Sequence, residues 1–83
     1  MPVNYKYNEG YCKAFGQQLR RLREARGISM RGLAKDADIE YSQLSKIERG
    51  VVNTTISTVL ALARTLDIPV KDLFDFDFPL ENM

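Results

Sequence analysis

Apolar residues recur at spacings of three and four along the middle of the chain, and the pattern is interrupted at Gly27, Asp38, Gly50 and Pro69. Tyr11, Phe15, Leu19 and Leu22 share one face of a helix predicted over about Tyr11 to Arg26. Gly27 ends that helix by taking the left-handed backbone conformation that L side chains resist. Ser29 is the N-cap of a second helix, Met30 to Ala37, with Met30, Leu33, Ala34 and Ala37 facing inward. Asp38, a residue type that tolerates positive φ, suits a tight turn after it. A third helix covers about Tyr41 to Arg49, behind the weaker cap Glu40, and Gly50 stops it. Thr55 caps a fourth, in which Ile56, Val59, Leu60, Ala63 and Leu66 return at helical spacing. Pro69 suits the first turn of a short fifth helix ending near Phe74. Short connections between these elements predict an all-α fold, a compact bundle of five helices.

The ends follow a different rhythm. Val3, Tyr5 and Tyr7 alternate with polar residues, and Phe74, Phe76, Phe78 and Leu80 alternate with polar or small ones, Asp75 and Asp77 among them. A period of two is the strand signature, so short terminal β-strands are a further expectation; the other reading of the tail is a segment folded back over its own bundle. The chain therefore divides into an N-terminal arm or strand over residues 1–10, a helical domain over 11–74 and an acidic, aromatic tail over 75–83.

The third helix has two unlike sides. Tyr41, Leu44 and Ile47 lie together, while Ser42, Gln43, Ser45, Lys46 and Arg49 cover the opposite face with hydrogen-bonding groups. Glu48 falls among the apolar residues, within ~40° of Leu44. Two short helices joined by a tight turn, the second with a polar outer face, form the helix-turn-helix arrangement, whose second helix enters the DNA major groove.

Composition narrows the function. Eighty-three residues form one domain. A chain of this size buries only ~60% of its unfolded surface, so dimerisation would add to a thin core. There is no histidine and one cysteine, Cys12. That excludes an internal disulfide and a multi-cysteine zinc site, and with no glycine-rich phosphate loop no nucleophile–base pair can be assembled. No enzyme activity, no cofactor and no metal are expected. No apolar run approaches the ~18 residues of a membrane span, and the N-terminus lacks a signal-peptide core, so the expected location is cytoplasmic, without membrane contact. Residues 1–50 hold ten Lys/Arg against six Asp/Glu, a net of +4. Residues 51–83 hold two against five, a net of −3, which suggests two different surfaces, the other reading being ordinary solvated helix faces.

Residues Phe15 to Phe74, about 60 of the 83, resemble the Cro and lambda-repressor-type (XRE-like) helix-turn-helix family. The stretches that carry the likeness are "LRRLREARGIS", "LAKDADI", "LSKIERG", "ISTVLALARTLDI" and "VKDLF". The resemblance implies a lambda-repressor-like bundle and a transcriptional regulator, a repressor, that binds double-stranded DNA at the bacterial nucleoid; a homodimer is expected from the thin core and from departures in the phosphate clamp. It places Tyr41, Ser42, Gln43 and Lys46 at base edges, with Tyr41 also claimed by the core face; Gln43 suits adenine and Lys46 guanine. It places Ser29, Arg31, Arg49 and the backbone around Asn53 at phosphates, which set register. It makes Glu48 structural, paired with Arg23 of the first helix; Arg26 lies near the same face and is the rival.

Three departures weaken the phosphate clamp the resemblance implies: Met30 where many members have Gln, Asp38 where Gly is usual, and Val51 where Lys or Arg is common. A dimer reading two half-sites about one helical turn apart would compensate. Its interface falls either on the terminal strands or on the fourth and fifth helices. The competing function is an antitoxin-like or other protein-interaction module that retains the fold and holds a protein partner through its C-terminal tail.

Overall fold

The computed structural model describes residues 7–78, so the readings of Val3, Tyr5 and Leu80 lie outside the described residues. Four α-helices follow one another: α1 (Glu9–Ala25), α2 (Met30–Ala37), α3 (Tyr41–Arg49) and α4 (Ile56–Leu66), then a 3-10 helix at Val70–Phe74. Three of the α-helices start at a side chain that accepts from the helix's own first turn. Asn8 accepts from Tyr11 N–H, Ser29 from Gly32 N–H and Thr55 from Thr58 N–H. Asn8, with Glu9 in the first turn complementing the helix dipole, starts α1 two residues before the expected Tyr11. Glu40 makes no side-chain cap bond.

All four α-helices end alike. A residue with positive φ (Gly27, Asp38, Gly50 or Asp67) is followed by an apolar residue whose N–H reaches back to a carbonyl five positions earlier. The bonds are Ile28 to Arg23, Ile39 to Ala34, Val51 to Lys46 and Ile68 to Ala63, at 2.9–3.2 Å. This is the Schellman closure, and Ile28, Ile39 and Ile68 also pack on the core.

The core is formed by Phe15, Leu19, Leu33, Leu44, Ile47, Leu62, Leu66 and Leu73, with smaller residues filling between them. α1 packs on α3 and on the 3-10 helix, and α2 packs on α3 and α4. Gly16 makes the α1–α3 crossing close. A Cβ there would lie 2.5 Å from the Glu48 carbonyl oxygen and nearer still to that of Ile47. At the same crossing Gly50 combines a φ of 73° with a backbone pressed against Lys13.

Several expectations are corrected. The fifth element is a 3-10 helix with Pro69 outside it as the cap residue, its carbonyl accepting from the Asp72 N–H three residues on at 3.0 Å. Ile56 and Leu60 are exposed, at 88% and 40%, and the inward stripe of α4 is Val59, Leu62, Ala63 and Leu66. Leu22 and Met30 pack against the core only in part, and Tyr11 is half-buried. The described residues contain no strand. Phe76 and Phe78 instead fold back on Tyr11, with ring centroids 5.3 and 5.0 Å away and the Phe78 contact edge-on.

Candidate nucleic-acid interface

The helix-turn-helix is α2, the Asp38 turn and α3. Asp38 holds φ 58° and ψ 47°, so the chain reverses without glycine. α3 is fixed by burial of Leu44 and Ile47 on one side, which turns Ser42, Gln43, Lys46 and Arg49 outward, all exposed. Tyr41 belongs with them rather than with the core, at 45% exposure. Ser45 is half-buried, and its hydroxyl accepts from Arg49 Nε at 3.3 Å.

Beneath this face lies a buried ion pair. Arg23 Nε donates to Glu48 Oε2 at 2.6 Å and Nη2 to Oε1 at 3.0 Å, a two-pronged contact that the planar guanidinium suits and an ammonium does not. Nη1 donates to the Ile28 carbonyl at 2.9 Å, so one side chain ties α1, the α1–α2 connection and α3 together. The hydrogen bond that Arg23 donates to Glu48 raises the Arg23 pKa, outweighing the opposing effect of desolvation, so the guanidinium stays charged. Arg26 is exposed.

The remaining sequence-selected residues lie around the same helices. Ser29 caps α2, Arg31 is exposed on the first turn of α2, and Asn53 is exposed in the loop after α3. Arg31 rests its guanidinium carbon 5.1 Å from the centre of the Tyr41 ring. The exposed carboxylates Asp36, Asp38 and Glu40 fall, along the chain, between the cations of α2 and those of α3, which lowers the positive potential at the turn.

Two contacts that brace α3 escaped the sequence. Tyr7, read as a strand residue, donates its hydroxyl to the Gly50 carbonyl at 2.5 Å, and Gly16 was hidden within a helical run. Nothing in the local pattern marks either one, since both depend on which elements cross.

An apolar groove of about 350 Å³ opens between α1, the loop after α3, α4 and the 3-10 helix, lined by Cys12, Phe15, Asn53, Ile56, Leu60 and Phe74 among others. Burial pushes the Cys12 thiol above its ordinary pKa, which leaves it a weak nucleophile. No group of three or more acidic, histidine or cysteine side chains that could hold a metal occurs among the described residues. No described helix is long and apolar enough to cross a membrane.

Residues 19–73 match the helix-turn-helix family profile HTH_3. The chain is 39% identical over 59 residues to the HTH-type transcriptional regulator DdrOP3 of Deinococcus deserti, covering 71% of this chain but 46% of that protein. It is 33% identical over 63 residues to the control protein C.BamHI of Bacillus amyloliquefaciens, covering 75% of this chain and 78% of that one. Among solved structures, the restriction-modification controller protein C.AhdI of Aeromonas hydrophila matches with a TM-score of 0.75 at 40% identity, over 76% of this chain and 96% of that one. SinR, from Bacillus subtilis and solved in complex with DNA, matches with a TM-score of 0.70 at 34% identity, over 74% and 98% of the two chains.

Proposed function

The chain belongs to the HTH_3 helix-turn-helix family, whose relatives here are transcriptional regulators, and on that premise we propose that it is a sequence-specific double-stranded-DNA-binding repressor. In this reading α3 lies in the major groove as part of a homodimer. The observation that carries it is the two-sidedness of α3: Leu44, Ile47 and the Arg23–Glu48 pair hold the helix from below, while Ser42, Gln43 and Lys46 stand free to meet base edges. Arg31 and Arg49, with Ser29 and the loop at Asn53, flank that face and contact phosphates.

The groove supports the dimer. Ile56, 88% exposed, projects beside a cavity that it also lines, so knob and hole share one surface. Two copies related by a two-fold axis fill such a surface reciprocally. SinR is also known in complex with SinI, and the same groove suits a second reading, in which a different protein occupies it. The solution mass of the purified chain decides: a dimer at micromolar concentration supports the first, a monomer the second.

Selection of duplexes from a random pool, with a salt titration of the winners, tests the DNA-binding function. The expected product is a site of two inverted half-sites. On it, Gln43→Ala weakens binding by about 1–3 kcal/mol and relaxes one base pair, whereas Arg49→Ala weakens all duplexes alike and flattens the salt dependence. A pool with no enriched sequence, or binding that salt does not weaken, overturns the proposal.

A further inference from the structure

We propose that Tyr41 is a positioning residue for Arg31, holding its guanidinium against the ring so that the free donor edges grip one DNA phosphate beside the N-terminus of α3. The two side chains come from different helices, Arg31 from the first turn of α2 and Tyr41 from the first residue of α3, and meet across the turn. The separation of 5.1 Å between the guanidinium carbon and the ring centre lies within the ~6 Å reach of a cation–π contact.

The manner of contact matters. A cation–π contact uses the charge of the guanidinium and spends none of its hydrogen bonds, so its five N–H donors remain for a ligand. Arg20, Arg21, Arg23 and Arg49 each hydrogen-bond a side chain of this protein. Arg31 has no carboxylate at ion-pair distance among the described residues, so its edges are unspent. A phosphate, with two oxygens at matching spacing, is the anion such a planar fork recognises.

An arginine loses rotamer freedom when it grips a ligand, and one already resting on a ring has lost part of it beforehand. Tyr41 thereby acts through Arg31, and its ring rather than its hydroxyl is the working part. The contact also bridges α2 to α3, so the phosphate grip and the attitude of the reading helix are set together. This assignment moves Tyr41 from base reading to phosphate positioning, and it rests on the DNA-binding function proposed above.

The test compares Arg31→Ala, Tyr41→Ala, Tyr41→Phe and the Arg31→Ala/Tyr41→Ala double variant. Each is titrated by fluorescence anisotropy against the selected duplex and a random duplex, over a range of salt. Arg31→Ala and Tyr41→Ala are both expected to weaken the two duplexes by similar factors and to reduce the log–log salt slope by up to about 0.9, the contribution of one phosphate. The double variant is expected to be no weaker than Arg31→Ala, and Tyr41→Phe to bind like the wild type. Additive losses, a Tyr41→Phe as damaged as Tyr41→Ala, or a Tyr41→Ala loss confined to the selected duplex would each overturn the assignment. A wild type that binds neither duplex overturns the DNA-binding function as well, whereas a binding wild type with an unaffected Tyr41→Ala overturns this assignment alone. A DNA-free readout stands beside these: Arg31 Hδ resonances should be shifted upfield by the ring in the wild type and in Tyr41→Phe, and not in Tyr41→Ala.

Discussion

Removing the Glu48 carboxylate isolates a buried charge. In Glu48→Ala the Arg23 guanidinium, on a residue only 7% exposed, keeps its bond to the Ile28 carbonyl and loses both carboxylate bonds. Breaking a buried pair from one side costs about 3–5 kcal/mol, because the remaining charge stays desolvated and uncompensated. A chain of 83 residues has about 4–12 kcal/mol of stability in total, so the variant should sit at the edge of unfolding at 25 °C. With a urea m-value of about 1–1.5 kcal/mol per molar, the midpoint falls by roughly 3 M. Arg23→Ala should be comparably damaging. Replacing both with apolar residues of similar size, as in Arg23→Met/Glu48→Leu, should return to within about 1 kcal/mol of wild type, since no charge is then stranded. The measurement is urea unfolding by circular dichroism on all four proteins. A loss under ~1 kcal/mol in Glu48→Ala, or a double variant as unstable as the two single losses added, would refute the reasoning.

Three other perturbations probe the rest of the molecule. Gly16→Ala places a methyl against backbone carbonyls of α3 that cannot rotate away, so it should destabilise by about 1–3 kcal/mol in the same urea assay; an unchanged midpoint would mean that the helices part freely. Ile56→Asp adds a charge to the exposed knob beside the groove, and by symmetry does so twice in a dimer. It should shift the protein to monomer by analytical ultracentrifugation while leaving unfolding of dilute chain nearly unchanged, because Ile56 is 88% exposed within one copy; retention of full dimer removes this face from the interface. Cys12, its thiol pKa raised by burial, should react with iodoacetamide at pH 8 several-fold more slowly in the folded protein than in urea. The sign for stability follows. The folded protein resists thiolate formation, so the contribution is fully present below the unfolded thiol pKa and is lost as pH rises through the higher folded value. Equal alkylation rates in both states would contradict the burial.

What the sequence determined by itself is what short-range physics controls. The helix starts at Ser29 and Thr55, the stop at Gly27, and the turns at Asp38 and Gly50 were legible because caps and positive-φ residues act over three or four neighbours. Periodicity gave α3 two faces, and the motif around "LSKIERG" gave the family. The tertiary structure decided the choices between equivalent local options. Spacing puts Arg23 and Arg26 near one face of the predicted first helix, but α1 ends at Ala25 and leaves Arg26 exposed at its cap, while Arg23 is buried where α1 packs on α3 and pairs with Glu48. Ile56 and Leu60 share the spacing of the buried residues of α4, yet the core lies toward Leu62. Gly16 reads as a weak helix residue until a carbonyl of α3 occupies the space of its missing side chain. The alternation of Phe74, Phe76 and Phe78 signals a strand locally, but a strand needs a partner edge. The Tyr11 ring offered the tail a packing surface instead, so Phe76 and Phe78 settled there.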